Sequence, residues 1–348
     1  MNKIIIPTGY MGSGSSAITD LVQEFRGYEA SHGSFEYVFL HCPGGVFDLE
    51  DKLLIGNNAI RSDEALHTFE EAMKELYTRK FWWPANYKKN LHPDFWKLTE
   101  EYIGKLVQYL PGDYWYVQEK LSPPMFVKMC VRKALMLVSG GKLVIKRPLV
   151  YDQMTVSLPY PEEFYAASKS YLEQIFIRMG IEEKNLILDQ LLLPFNLWRM
   201  EHYFGDNAEC FVVERDPRDV FISNKYVWAM RDKNPVPYPT DVKEYCEYYR
   251  RLRSMERKVQ NPHVHRIFFE DLIYRYEESV KLVCEILGLK QEDHIGRRKY
   301  LNPEKSIQNT QLFLSEEYRE EAAVIERELS EFLYDFPYQR EIDIAKVF

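Results

Sequence analysis

A short apolar run, Ile4-Ile5-Ile6, gives way to the turn Gly9-Tyr10-Met11-Gly12-Ser13-Gly14-Ser15-Ser16. An amphipathic stretch carrying Ala17, Ile18, Leu21, Val22 and Phe25 follows at once. Strand, glycine-rich turn and helix in this order bring successive backbone N–H groups and a helix N-terminus to one point, where an anion is favoured. A second segment has the same logic. The buried-strand run Phe211-Val212-Val213 leads into Glu214-Arg215-Asp216-Pro217-Arg218-Asp219-Val220-Phe221-Ile222-Ser223 and ends in an arginine. Two such sites on one sheet call for a ligand with anionic groups at both ends.

The first turn has the glycine spacing of a nucleoside-triphosphate loop, but Ser15-Ser16 stands where Lys-Ser/Thr is required. The loop therefore lacks the cation that neutralises β- and γ-phosphates. Its backbone cradle remains, with the hydroxyls of Ser13, Ser15 and Ser16, unless it is an ordinary tight βα connection. In the second segment Asp216 suits an N-cap, Pro217 the first helical position and Asp219 the first turn. Arg215 and Ser223 can then flank one anion. Simple capping and surface pairing explains Asp216, Arg218 and Asp219 but gives Arg215 and Ser223 no task.

On these residues the chain resembles the sulfotransferases that use 3′-phosphoadenosine 5′-phosphosulfate. The resemblance implies that Gly12, Ser13, Gly14, Ser15 and Ser16 hold the 5′-phosphosulfate and that Arg215 and Ser223 hold the 3′-phosphate. Phe269-Glu270-Asp271-Leu272 with the helix through Val280, Val283 and Leu287 is similar to the family's late strand and helix. Asn302 to Asn309 is similar to its nucleotide-covering loop, which implies contacts from Ser306, Lys305 and the nearby Arg298. Gly12 stands where many members carry a lysine or arginine near the leaving oxygen. Lys146, and after it Arg147, are the candidate replacements behind the run Leu143-Val144-Ile145; a solvated turn is the plainer reading of that pair.

Transfer to a hydroxyl needs a base, and the family uses histidine or glutamate. Glu36, His32 and His41 are the candidates, with Glu36 leading, and Asp189-Gln190, at a strand end on the same rim, is the candidate for orienting the acceptor. The resemblance, to bacterial carbohydrate-type members, implies a donor co-substrate, adenosine 3′,5′-bisphosphate as product, a carbohydrate acceptor and no metal. Two other readings stay open. Leu186-Ile187-Leu188-Asp189 would suit the magnesium-holding strand of a small-molecule kinase, and a catalytically silent nucleotide-binding protein is the third possibility.

Short apolar runs alternating with helical patterns predict an α/β fold: three layers, with a mainly parallel sheet between helices. Strands are expected at 3–7, 35–40, 142–146, 185–189, 209–214 and 264–268, and the helices flanking the two motifs at 15–26 and 217–229. The loops after 7, 146, 189 and 214 should share one rim. The 348 residues, 46% hydrophobic, read as a single domain with a helical, aromatic-rich insertion at about 60–140. Most insertion rings should fill a core, with Trp82, Trp83 and Trp115 left to stack on an acceptor. A net charge of −8 argues against extended nucleic-acid binding. Cys42, Cys130, Cys210, Cys246 and Cys284 include no C-x-x-C pair, and no apolar run reaches membrane-spanning length. With an opening strand that leaves no room for a signal peptide, the expected compartment is the reducing cytoplasm. The sequence leaves the oligomeric state open.

Overall fold

The structure, a computed structural model, describes residues 2–30, 35–120, 122–145, 147–151, 153–229, 236–258 and 260–340. The chain divides into two compact units, residues 1–41 with 176–348, and residues 42–175. In the first unit the strands are β1 (Ile4–Gly9), β2 (Tyr28–Ala30), β3 (Asn185–Ile187), β4 (Ala208–Glu214) and β5 (Val264–Phe268). Among the described residues they form one sheet in the order β2-β3-β1-β4-β5, and every pairing is parallel. The longest register runs between β1 and β4, from Ile4 opposite Ala208 to Gly9 opposite Val213.

Both faces of this sheet are covered, which is why its strands are apolar at successive positions rather than alternate ones. Ile5, Phe211, Val213 and Ile267 pack on one face with Ile18, Leu21, Phe25, Leu272 and Val283. Ile4, Ile6, Cys210 and Val212 point the other way and are buried as well. The fold is the expected α/β class, with a parallel sheet. Since β1, β3 and β4 run the same way, the chain leaves all three at one edge, where α/β proteins bind ligands.

Two expected strands are absent. Residues 35–40 bury Phe35, Tyr37, Phe39 and Leu40 but pair with no strand; the place beside β3 is taken by β2 instead. Residues 142–145 and 147 also form no strand, and Leu143 and Val144 are exposed. No rim loop of the sheet is therefore supplied there.

The second unit is built from the helices Val46–Leu54, Ala59–Thr78, Phe95–Leu106 and Pro123–Val138 and most of Pro161–Arg178. The insertion expected at 60–140 lies within it. Tyr102 stacks on Tyr171 at 4.6 Å between ring centroids, and Phe69 meets Tyr102 edge-on. The two buried phenols are satisfied by Ser168 Oγ and Thr99 Oγ1, at 2.7 and 2.9 Å. Among the described residues, no helix is long and apolar enough to cross a membrane.

Candidate functional site

The turn after β1 is built around two left-handed glycines, Gly12 at φ 77° and Gly14 at φ 83°. A Cβ on Gly14 would lie 2.9 Å from the Phe269 ring, and one on Gly12 would lie 3.0 Å from the Asn224 side chain. A lysine or arginine at position 12 is thus opposed by the backbone and by a neighbour. The Ser13 N–H donates to Tyr10 O at 2.9 Å and closes the turn. The helix Ser16–Val22 starts with Ala17 N–H on Gly14 O, so the N–H groups just ahead of Ala17 precede the helical ladder. Ser13 Oγ is buried without a hydrogen-bond partner.

The end of β3 clamps this turn. Gln190 Nε2 donates to Ser15 Oγ at 2.9 Å, while Gln190 Oε1 accepts from Thr8 Oγ1 at 3.2 Å. Its backbone N–H donates to Pro7 O at 2.9 Å and its φ is 58°, a left-handed conformation uncommon outside glycine.

Arg215 leaves the end of β4 and is buried. It donates to Gly12 O at 2.9 Å, Ser223 Oγ at 3.0 Å and Asn309 O at 2.5 Å, and its Nε has no partner. Its guanidinium also lies over the Phe269 ring, 5.1 Å from the centroid. One side chain therefore joins the glycine-rich turn, the helix after β4 and the loop near Asn309. Asp216 caps that helix by accepting from Arg218 N–H. Asp219, rather than capping at the surface, is fully buried and accepts from the N–H groups of Gln311 and Leu312, both at 2.7 Å. The expected helix 217–229 appears as Pro217–Ile222 followed by a π-helical stretch, Ser223–Trp228, which supplies Ser223, Asn224 and Trp228. Such widened turns recur at functional sites.

Two adjoining cavities open beside these elements. The smaller, about 500 Å³, is lined by Arg215, Asn224, Phe269, Ser306 and Asn309. The larger, about 1050 Å³, is lined by the glycine-rich turn together with Asp20, Glu36, Asp189 and Gln190. Gly12, Gly14, Ser16, Asp20, Trp228 and Tyr238 line both. Burial, then the neighbouring Glu36, pushes the Asp189 carboxyl up to about 7, and Asp189 Oδ1 has no partner. Burial likewise raises Glu36 and Asp20 above the ordinary carboxylate range.

The sequence-predicted residues divide accordingly. Gly12, Gly14, Ser15, Ser16, Arg215, Ser306, Glu36 and Asp189 line the cavities, with Ser13 inside the turn and Ser223 behind Arg215. Lys146 and His32 lie outside the described residues. Arg147 belongs to the second unit and pairs with Glu119 at 2.7 Å. Trp82, Trp83 and Trp115 belong to that unit too and are exposed. Arg298 pairs with Glu304 at 2.9 Å and Lys305 is exposed; neither lines either cavity. His41 Nε2 lies 2.8 Å from Gln190 O, and burial lowers its pKa. Sequence reasoning placed Gln190 on the rim as an acceptor-orienting residue but not as the clamp on Ser15, and it missed Asn224 and the role of Asn309. Gln190 carried a signal as the residue after Asp189, and Asn309 as the last residue of the loop singled out above; Asn224 carried none.

These features define a parallel α/β protein with a glycine-rich turn after its central strand and an arginine closing the neighbouring one. The model of the sulfotransferase family matches residues 161–293, a segment that includes Asp189, Arg215 and Ser223. No curated protein matches the sequence. Among solved structures, the sulfotransferase domain from the curacin biosynthetic pathway is 11% identical, covering 97% of this chain and 99% of its own, with a TM-score of 0.42. The sulfotransferase domain from the Synechococcus PCC 7002 olefin synthase is 13% identical, covering 96% and 95%, with a TM-score of 0.40. Retinol dehydratase in complex with androsterone and the inactive cofactor PAP is 16% identical, covering 71% and 97%, with a TM-score of 0.25.

Proposed function

We propose that the protein transfers a sulfuryl group from 3′-phosphoadenosine 5′-phosphosulfate to a hydroxyl acceptor, for which the sequence resemblance suggests a carbohydrate. The observation that carries the reading is the placement of Arg215, bonded to Gly12 O and Ser223 Oγ at the wall shared with the glycine-rich turn, within the family-matched segment. The residues fit the donor. The buried, unpartnered Nε of Arg215 is an unused donor at the smaller cavity, and the turn keeps the unused hydroxyl of Ser13.

When bound, the donor supplies the sulfuryl group and a phosphate leaving group. Arg215, with Ser223 behind it, would hold the 3′-phosphate; the N–H groups of Gly14, Ser15 and Ser16 would hold the 5′ end. Gln190 would keep the Ser15 hydroxyl oriented toward that end. Asp189, with Glu36 beside it, would take the acceptor proton, since its carboxyl, pushed up to about 7, is well matched to that task.

Calorimetric titration tests this. The protein should bind adenosine 3′,5′-bisphosphate more tightly than 5′-AMP, with no need for magnesium. Arg215→Ala should weaken the bisphosphate by about 1.5–3 kcal/mol, roughly 10- to 150-fold, and leave 5′-AMP nearly unchanged. Equal losses for both nucleotides would remove Arg215 from the 3′-phosphate. Magnesium-dependent preference for ATP would replace the whole reading with a kinase.

A further inference from the structure

Asp20, Glu36 and Asp189 line the larger cavity, and Asp20 faces the smaller one as well. A fourth carboxylate of the larger cavity, Glu29, is neutralised by Lys184 at 2.6 Å. The other three have no lysine, arginine or histidine partner among the described residues; Asp20 accepts only an amide hydrogen bond, from Gln23 at 3.0 Å. The described residues lining this cavity include no basic side chain at all, whereas the smaller cavity has Arg215. Asp189 Oδ1 is shut off from solvent and has no hydrogen-bond partner, which is costly for a carboxyl unless something in the cavity meets it.

We infer that the larger cavity takes a hydroxyl compound bearing a positive charge, an ammonium or quaternary ammonium group held by Asp189, Glu36 and Asp20. Describing that compound as the acceptor rests on the sulfuryl-transfer reading; its charge does not. The walls suit an organic cation. Tyr28, Trp228, Tyr238 and Tyr248 line the same cavity, and aromatic faces attract ammonium groups. A metal ion suits them less, because no group of three or more His, Cys, Asp or Glu among the described residues is arranged to hold one. The charges also sort the two ligands. A donor anionic at both ends is drawn to the turn and to Arg215, and Glu36 and Asp189, which line the larger cavity alone, repel it. An amino sugar would satisfy both this charge and the carbohydrate expectation.

The test is calorimetric titration of the full-length, nucleotide-free protein with hydroxylated amines and their neutral counterparts. The pairs are glucosamine and glucose, tyramine and 4-ethylphenol, and choline and 3,3-dimethylbutanol. At least one amine should bind about tenfold or more tightly than its counterpart. Asp189→Asn and Glu36→Gln should each erase that preference; if the first does not fold, the second carries the test. No preference in any pair, or a preference that survives Glu36→Gln, overturns the inference. Titrating adenosine 3′,5′-bisphosphate in parallel separates the two proposals. Amine preference without bisphosphate binding supports the cation site and sinks the donor; bisphosphate binding without amine preference does the reverse.

Discussion

Asp189 shows how the site shapes single residues. Its carboxyl is buried, faces Glu36 and Asp20, and is pushed up to about 7, mostly by burial. Because the folded value exceeds the ordinary 3.8, the folded state holds the proton more tightly than the unfolded chain between those values. The stability this group contributes is full below the unfolded value and is lost as pH rises through about 7. Asp189→Asn mimics the protonated form. It should raise the unfolding temperature at about pH 8 and leave it nearly unchanged at about pH 4. Thermal unfolding of both proteins at the two pH values checks this, and a gain of equal size at both would sink it.

At the scale of elements, the motifs that could be read in the sequence were those whose signal is local. Gly9 to Ser16 and Arg215 to Ser223 each announce a strand end, a turn and a helix start by residue type alone. The expected strands 35–40 and 142–146 failed for different reasons. In the first, burial of Phe35, Tyr37 and Phe39 follows the alternation, but a strand also needs a sheet edge, and β2 occupies it. In the second, Leu143 and Val144 are apolar yet exposed, and no periodicity distinguishes such a run from a buried strand. The clamp of Gln190 on the turn and the contributions of Asn224 and Asn309 escaped because each acts across the fold, on the turn or on Arg215. The same long-range logic governs Asp219, which ties the Pro217–Ile222 helix to the backbone of Gln311 and Leu312 next to Asn309. Asp219→Ala should cost about 2–4 kcal/mol in urea unfolding and also weaken bisphosphate binding. Asp219→Asn keeps an acceptor and should lose much less on both counts. If the two variants lose equally, the anchoring of this loop does not depend on those bonds.

Across the whole molecule, the two edges of the sheet titrate in opposite senses. At the strand starts, Glu209 on β4 is nearly inaccessible, and burial alone would raise it. Hydrogen bonds with His265 at 2.8 Å, Lys3 at 2.5 Å and His263 at 3.1 Å outweigh burial and bring it down to about 2. That group's stability is present above its ordinary 4.5 and is lost as pH falls through about 2. At the strand ends the carboxyls go the other way. Burial, then Asp219, raises Glu270 to about 8; burial raises Asp219 as well, and Asp189 sits near 7. Their stability fades as pH climbs from the carboxylate range toward 8. From these groups stability should therefore peak near the unfolded carboxylate values, at about pH 4, with an acid limb set by one edge and a limb toward pH 8 set by the other. Glu209→Gln isolates the first. In urea unfolding across pH it should lower stability near neutrality, flatten the fall below 4.5 and leave the limb toward pH 8 unchanged. A constant offset from the parent protein at every pH would mean that Glu209 holds the strands by packing rather than by charge. The contrast carries a functional point as well. The edge that holds the strand starts together pairs its carboxylate with cationic and imidazole groups, whereas Asp189, at the edge that faces the cavities, has no basic partner among the described residues, which is the state a ligand-binding site retains at the expense of stability.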